Sequence, residues 1–441
     1  MKITSFVIKS VLLLLLSKID ASATEMHGTP NLEIPRFHVT RMISTPKIDG
    51  KIDLLEWKSA TAISGVADQS TDASKPLIPR PTTFYLGWDP ENIYFAARTY
   101  IKDGHKPNVS VGRSQGLAYV WDAGLELNFH PMGNNVNANN KGNSYKWFLN
   151  ALGFIGDTSR LAMGQQFKNW NPQFLIQAKL TDPGTAPNGG RWWEVEMKAS
   201  TADFELEGDN EPGDQWKLML GINHFPAWIQ ARIPCLGPYL DPYGFNLVTL
   251  VEETPVVQMT MDSLNNLSSD GTANLDIDVF NPKDSEVSVL LNIKITEEIN
   301  VSEILNILPK KSSSFKLNKK LPDSIKDGQL TVQVKEEEKE LFWYSAPFRV
   351  NAFPKMLISD KSRAKNNFSL ETKFNPVRSW LLVKGDTYQL EDPASAKALH
   401  YSVSKIDPNH ENRLSDIVVS GKITNVAQYF LQDVLNLPPL K

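Results

Sequence analysis

The stretch of sequence that decides the fold consists of three consecutive segments: TTFYLGW (82–88), DPEN (89–92) and IYFAARTYI (93–101). In the third segment, Ile93, Phe95 and Ala97 share one face of an extended chain, because successive side chains of a strand point to opposite sides. Asp89 and Pro90 suit the first and second positions of a tight turn. The stretch therefore predicts a β-hairpin.

Segments with the same strand-like character lie on both sides of this hairpin. After it come 124–129, 145–154, 173–180, 191–197, 216–223 and 246–251. Long helical periodicity is absent, and only residues 56–60 and 199–204 indicate short helical turns. Nine of the eleven tryptophans lie between Trp57 and Trp228. We expect an aromatic-rich, ligand-binding β-sandwich over residues 38–254.

Residues 255–350 continue with plain strand alternation, and their number is typical of an immunoglobulin-like β-sandwich. The expected strands are 275–279, 287–295, 314–317, 330–334 and 341–350. The tripeptide FNP recurs, at 280–282 and at 374–376, which indicates a repeat of this module. We predict that residues 351–441 form a second, incomplete immunoglobulin-like β-sandwich. The predicted fold class is all-β throughout.

The first 23 residues have the features of a cleavable signal peptide. Lys2 and Lys9 precede the apolar run VLLLLL (11–16), and ASA (21–23) fits an A-x-A cleavage site. The run is shorter than the roughly 20 apolar residues that span a bilayer. We therefore expect a secreted or periplasmic protein without a membrane span.

Composition excludes several classes of function. The net charge of −4, from 46 Lys+Arg against 50 Asp+Glu, provides no basic field for a nucleic acid. Cys235 is the single cysteine, so an intrachain disulfide and Cys-rich zinc motifs are excluded. The seven histidines form no motif such as H-E-x-x-H.

Paired carboxylates are the remaining candidates for catalysis. Glu194 and Glu196 are two residues apart on one strand face, and Asp122 and Glu126 raise the same question. A solvated or loop-pairing strand face is the simpler interpretation of both pairs, so no catalytic residue is predicted. The loop DNEPGD (209–214) offers the oxygen ligands that calcium prefers, although an ordinary acidic turn is the simpler interpretation.

Tryptophan is the most informative residue type in this chain. The face of a Trp ring packs against the C–H patches of a sugar, while polar neighbours bind the hydroxyl groups. We expect Trp57 and Trp88 in the core. Trp121, Trp170 and Trp228 stand beside polar or turn residues, so a ligand-binding role and a core role remain equally open for them.

Five motifs, in order, resemble family 9 carbohydrate-binding modules over residues 42–252. They are TPKIDGKID (45–53) with EW (56–57), LGWDPENIYFAA (86–97), WD (121–122) with LELNF (125–129), RWWEVEMK (191–198) and DPYGFNL (241–247). The resemblance implies a β-sandwich that holds the end of a glycan between two tryptophans, often with structural calcium. Trp121 matches the first of these tryptophans. Trp228 or Tyr239 takes the place of the second, whose motif is missing.

The sequence thus predicts an exported, non-catalytic protein that binds carbohydrate and assists polysaccharide degradation. Trp121, with Trp228 or Tyr239, would stack on the sugar, and Asn223 and Arg232 would bind its hydroxyl groups. No cofactor is required, calcium stays open, and a monomer without a nucleic-acid partner is expected.

Three alternative interpretations remain open. In the first alternative, the chain is the N-terminal part of a larger glycoside hydrolase whose catalytic domain follows Lys441. In the second alternative, it is a structural surface protein that has lost sugar binding. In the third alternative it is a redox module that holds haem through His130, Met132 or Met163.

Overall fold

The structure, a computed structural model, describes residues 34–68, 76–104, 107, 123–137, 142–153, 155–161, 168–224, 229–236 and 242–350, with strand residues 356–359, 367–372, 387–392, 397–403 and 419–420. Within these ranges nearly all regular structure is β strand, which confirms the predicted fold class. Short 3₁₀ helices cover Pro187–Gly189, Thr201–Phe204 and Pro242–Gly244. No helix in these ranges has the length and apolar character needed to cross a bilayer.

The strands fall on both sides of residue 254. Those before it are β1 (Arg36–Thr40), β2 (Thr61–Ser64), β3 (Ala67–Asp68), β4 (Thr82–Trp88), β5 (Asn92–Ile101), β6 (Gly124–Pro131), β7 (Ser144–Asn150), β8 (Ile155–Leu161), β9 (Lys168–Asn169), β10 (Leu175–Leu180), β11 (Arg191–Ser200), β12 (Gln215–His224), β13 (Ile229–Arg232) and β14 (Asn246–Val251). Those after it are β15 (Val256–Thr260), β16 (Thr272–Phe280), β17 (Val287–Lys294), β18 (Asn300–Ile307), β19 (Ser312–Lys320), β20 (Asp327–Glu336), β21 (Lys339–Arg349), β22 (Met356–Ser359), β23 (Asn367–Thr372), β24 (Thr387–Asp392), β25 (Lys397–Val403) and β26 (Val419–Ser420). The predicted β4–β5 hairpin is confirmed, with Phe84 opposite Ala97.

Two large sheets form the sandwich. Sheet A has the order β18-β17-β20-β21-β1-β14-β12-β6-β7-β8-β9, and β13 pairs with both β12 and β3. Sheet B has the order β10-β11-β5-β4-β2-β15-β16-β19. One apolar core takes residues from both sheets, among them Trp147 and Trp216 of sheet A and Phe95 and Val195 of sheet B.

Strand β1 joins the two halves of sheet A. It runs parallel to β14, with Phe37 opposite Val248, and antiparallel to β21, with Phe37 opposite Phe342. In sheet B, β2 pairs antiparallel with β4 and parallel with β15. Both sheets therefore continue past residue 254, which lies between β14 and β15.

Side-chain contacts reinforce this seam between the two halves. The ring centroids of Phe37 and Phe342 are 4.9 Å apart. The Tyr344 hydroxyl donates a hydrogen bond to the Gly65 carbonyl at 2.6 Å. Gly65 has φ +88, and a Cβ there would lie 2.4 Å from the Tyr344 oxygen, so this close approach requires glycine. The division into domains 38–254 and 255–350 stays a prediction. Substitutions at the seam can test it.

The remaining strands form a separate five-stranded sheet in the order β22-β23-β26-β25-β24. The second FNP tripeptide, at 374–376, and the residues after 420 lie outside the described residues. The incomplete second immunoglobulin-like sandwich over 351–441 therefore stays a prediction. The same holds for the signal peptide over residues 1–23.

The seam predicts that the two halves unfold together. Phe342 is 0 % exposed, so Phe342→Ala should lower the free energy of unfolding by about 3–5 kcal/mol. Most tryptophans lie before residue 254, so their fluorescence reports unfolding of the first half, whereas Phe342 lies in the second half. If the halves unfold together, Phe342→Ala should shift the single fluorescence transition to a lower urea concentration. Ile304→Ala, at a side chain that is 63 % exposed, is the control. If Phe342→Ala leaves the urea midpoint of the tryptophan fluorescence transition unchanged, the two halves are independent domains.

A histidine on β1 makes the seam sensitive to acid. Burial, reinforced by the charge of Lys339, lowers the pKa of His38 from 6.5 to about 4. The unfolded chain therefore binds a proton on His38 at a higher pH than the folded chain does. The stability that neutral His38 contributes is fully present above pH 6.5 and is lost as the pH falls from 6.5 towards about 4.

Replacing His38 should remove this part of the pH dependence. We expect the urea midpoint of the unmodified chain to fall more between pH 7 and pH 4.5 than that of His38→Gln. Each chain serves as its own reference at pH 7. Equal falls in the two chains would show that His38 does not contribute.

Candidate functional site

Alternation along the strands gives sheet A two different sides. Leu125, Leu127 and Phe129 of β6 enter the apolar core, so Glu126 and Asn128 lie on the outer side. The register of β6, β7, β12 and β13 places further polar residues on the same side. This side of the sheet, here called the polar face, contains Glu126, Asn128, His130, Lys146, Asn150, Lys217, Asn223 and Arg232. Most of these side chains are buried, and Met219 on the same side packs with Cys235 and Phe245.

Glu126 lies at the centre of the polar face and is 3 % exposed. Its Oε1 atom is 2.8 Å from Nζ of Lys146 on β7. Its Oε2 atom accepts a hydrogen bond from Nδ2 of Asn223 on β12, at 3.4 Å. A buried carboxylate requires such partners, and here they come from the strands on either side.

The polar face has a position without a side chain beside Glu126. Gly221 of β12 pairs with Glu126 on one side and with Arg232 on the other. Because neighbouring strands are about 4.8 Å apart, the Cα atoms of Glu126 and Arg232 are separated by roughly 10 Å. A Cβ at position 221 would lie 3.1 Å from the Glu126 carbonyl and 3.3 Å from the Met219 sulfur. A strand-interior glycine of this kind often marks close approach of a ligand or backbone.

Two buried amide atoms of the polar face have no hydrogen-bond partner in the described structure. They are Nδ2 of Asn128 and Oδ1 of Asn223, on side chains that are each 2 % exposed. Such a group costs about 1–3 kcal/mol when it stays unpaired. One atom is a donor and the other an acceptor, and a sugar hydroxyl can pair with either.

The structure describes two of the five residues predicted to bind sugar. Asn223 and Arg232 both lie on the polar face, and Asn223 contacts Glu126. Trp121, Trp228 and Tyr239 lie outside the described residues. Their stacking role therefore stays a prediction.

Sequence reasoning does not identify Glu126 and Lys146 as members of the site. The segment GLELNFH (124–130) carries the signal, because polar residues occupy every second position. That pattern usually indicates a solvated strand face. The pairing of β6 with β7 places Lys146 opposite Asn128, two residues from Glu126. Glu126 is therefore a buried, ion-paired carboxylate, and the expectation of a solvated or loop-pairing residue is wrong for it.

Three of the tryptophans considered in the sequence analysis are located in the core. Trp57 and Trp88 are 0 % and 1 % exposed, which confirms the expectation for both. Trp170 is 6 % exposed, and its ring centroid is 6.0 Å from that of Trp147. Its Nε1 donates a hydrogen bond to the Asp203 carbonyl at 2.7 Å. Of the two roles left open for Trp170, the structure supports core packing.

Glu194 and Glu196 of β11 bind a loop of the protein. Glu196 Oε2 accepts the backbone N–H groups of Asp49 and Gly50 at 2.9 and 2.8 Å, and its Oε1 accepts Nε1–H of Trp57 at 2.8 Å. Glu194 accepts another backbone N–H of the same loop at 3.2 Å. Burial raises the pKa of both carboxyl groups, while the N–H donors favour the charged form. The loop-pairing interpretation is confirmed for this pair.

The acidic loop 209–214 is closed by its own hydrogen bonds. The Asp214 carboxylate accepts the backbone N–H groups of Asn134 and Glu211 at 3.0 and 2.9 Å. Nδ2 of Asn210 donates to the Asp89 carbonyl at 3.1 Å. Within the described residues, no group of three or more His, Cys, Asp or Glu is placed to hold a metal ion. Calcium binding stays a prediction.

The residues considered for haem are only partly described. Nδ1 of His130 lies 2.7 Å from the Asn143 carbonyl, which can only accept, so Nδ1 carries the proton. Burial lowers the pKa of His130. Met132 is 40 % exposed, and Met163 lies outside the described residues. The haem alternative stays untested.

Comparison with protein-family models finds no match, and comparison with curated proteins finds none either. A Bacteroides uniformis ATCC 8492 protein, provisionally described as carbohydrate-binding, is 13 % identical and has a TM-score of 0.37; the match covers 49 % of this chain and 99 % of that one. The Bacteroides uniformis β-glucuronidase is 9 % identical and has a TM-score of 0.16. That match covers 69 % of this chain and 30 % of the β-glucuronidase. Red sea bream transglutaminase is 11 % identical and has a TM-score of 0.17. That match covers 59 % of this chain and 29 % of the transglutaminase. TM-scores this low establish no common fold, so the family 9 resemblance stays a prediction.

Removing the charge of Glu196 should loosen the loop at 49–57. Glu196→Gln replaces one accepting oxygen with a donor, and we expect the free energy of unfolding to fall by about 2–3 kcal/mol. Urea unfolding at pH 7 measures the change. Glu298→Gln, at an exposed carboxylate, is the matched control and should change stability by less than about 0.5 kcal/mol. Equal effects in the two variants would contradict the anchoring role.

Proposed function

We propose that this chain is an exported, non-catalytic carbohydrate-binding protein that holds a glycan on the polar face of sheet A. The observation that carries the proposal is the pair of unpartnered buried amide atoms, Asn128 Nδ2 and Asn223 Oδ1, beside Glu126. Sugar hydroxyls both donate and accept, so a glycan satisfies groups of either kind.

The polar groups available on this face suit a sugar ring. The Glu126 carboxylate accepts from hydroxyl groups, and the Arg232 guanidinium donates to them. Gly221 lies between these two residues in the register and places no side chain between them. A few specific polar groups fix the orientation of a bound ligand, as this set would do for a sugar.

Aromatic stacking completes the proposed mechanism. Trp121 precedes the first residue of β6 by three positions, and Trp228 directly precedes the first residue of β13. Those two strand ends flank Asn223, which pairs with Gly124 and with Gln230. Trp121, with Trp228 or Tyr239, would cover the sugar, each stacked ring contributing about 1–2 kcal/mol. Binding at a single site is then expected in the micromolar to millimolar range.

The sequence supports the cellular context of this proposal. The signal-peptide features of residues 1–23 support export to the periplasm or the medium, where polysaccharides are degraded. The five motifs that resemble family 9 carbohydrate-binding modules support the same class of ligand. The proposed role is accessory to polysaccharide degradation, with no catalytic residue assigned.

A glycan array and affinity gels with the full exported chain test the proposal. Asn223→Ala should weaken glycan affinity about tenfold, because it removes a paired donor and a free acceptor. Trp121→Ala should weaken it by a similar factor. Asn318→Ala, at an exposed asparagine of β19, is the matched control and should leave binding unchanged. Failure to bind any glycan on a broad panel would overturn the proposal.

A further inference from the structure

The polar face contains a lysine that differs from the others in its surroundings. Lys217 lies on β12 and pairs with His130 of β6. Its neighbours along β12, Trp216 and Leu218, enter the apolar core, so the Lys217 side chain lies on the opposite side of the sheet, with the polar face. Lys217 thus belongs to the same face as Glu126, but at the opposite end of the β6–β12 pair.

No carboxylate of the described residues forms an ion pair or hydrogen bond with Lys217. Lys146, on the same face, has its ammonium group 2.8 Å from Glu126. Burial lowers the pKa of Lys217, and no neighbouring negative charge offsets this effect. A half-buried cation without a counter-ion is unfavourable and gains from an anion that binds there.

A diagonal neighbour of Lys217 on the polar face offers a second donor to an anion. Asn128 pairs with Met219, so Lys217 and Asn128 are diagonal neighbours across β12 and β6. Diagonal neighbours on one face are about 7–8 Å apart at Cα, within the reach of long side chains. The Asn128 Nδ2 donor is unpartnered, as described above. The Nδ1 proton of His130 is directed to Asn143, so His130 does not compete for the anion through that atom.

We propose that the glycan bound at the polar face is acidic, and that its carboxylate or sulfate group is held by Nζ of Lys217 and Nδ2 of Asn128. This inference rests on the proposed function and specifies its substrate class. Charge-assisted hydrogen bonds to an oxyanion are the strongest contacts that these two donors can form. A neutral glycan offers these donors only uncharged hydroxyl oxygens, which form weaker hydrogen bonds than an oxyanion does.

The spacing along β12 is consistent with a chain of several sugar units. Lys217 and Gly221 are four residues apart, which is about 13–14 Å in a strand. One end of the face, with Glu126, Asn223 and Arg232 around Gly221, offers donors and acceptors for a neutral ring. The other end, with Lys217 Nζ and Asn128 Nδ2, offers two donors to an anion. Met219, which lies between the two ends on the same side of β12, is 0 % exposed and packs with Cys235 and Phe245, so the two ends are separate positions on the face.

The decisive experiment compares glycans that differ in charge alone. Polygalacturonate and its fully methyl-esterified form share a backbone, and dextran sulfate and dextran form the matching sulfate pair. Affinities of the full exported chain are measured by affinity gel electrophoresis and isothermal calorimetry, at low and moderate salt. We expect at least one acidic form to bind about five- to tenfold more tightly than its neutral partner, with the difference shrinking as salt is raised.

Substitutions at Lys217 separate a specific site from a general charge effect. Lys217→Met should reduce the acidic glycan to the affinity of its neutral partner, and Lys217→Arg should retain most of the preference because the charge stays. Lys198→Met, which removes the same charge from β11 of sheet B, should leave the preference unchanged. Thermal unfolding of each variant confirms that it is folded before binding is compared.

The possible outcomes distinguish this inference from the function on which it rests. An acidic preference lost in Lys217→Met and kept in Lys198→Met supports the inference, and the polymer concerned identifies a carboxylate or a sulfate. Glycan binding that shows no acidic preference, or a preference unaffected by Lys217→Met, overturns the inference and leaves carbohydrate binding standing. If the chain binds none of these polymers and no neutral glycan of a broad panel, carbohydrate binding itself is refuted, and the inference fails with it.

Discussion

Strand β1 has hydrogen-bonded neighbours on both edges, and the rest of the sandwich depends on that double pairing. On one edge it pairs with β14, which in turn holds β12 through residues 215–218. On the other edge it pairs with β21. Without β1, both β14 and β21 would present an open sheet edge, which is a template for aggregation. Strand β12, which carries Lys217, Gly221 and Asn223 of the polar face, is thus positioned through two successive pairings that begin at β1.

Buried polar groups in this protein fall into two kinds, and the difference between them is informative. Asn281 is 0 % exposed, and its Nδ2 donates to the carbonyls of Ser285, Ile307 and Leu308. Glu196 is equally enclosed and accepts from three N–H groups. Both residues are fully used in holding turns and loops. Asn128 and Asn223 each retain an unpaired atom, as do Asn210 and Asn246, and it is their shared position on the polar face beside Glu126 that sets the first two apart.

Much of the local structure could be predicted because it depends on neighbouring residues. The β4–β5 hairpin follows from alternation and a Pro-containing turn, and the shared face of Glu194 and Glu196 follows from their two-residue spacing. The seam could not be predicted in this way. Arg36 bonds to Glu340 across 304 positions of the chain, and nothing local in either segment indicates that partner. Likewise, the ion pair of Glu126 with Lys146 depends on the register of two strands, which the alternation of one strand does not specify.

By itself, the sequence determined the all-β class, the placement of most strands and which side of each strand is apolar. These properties follow from a two-residue period and from turn residues, which act over a few neighbouring positions. The tertiary structure alone decided that both large sheets continue past residue 254 and that Gly221 separates Glu126 from Arg232. It also left Lys217 without a counter-ion among the described residues. These properties arise from pairing between distant strands, because a hydrogen-bonded register sets which side chains become neighbours, whatever their separation along the chain.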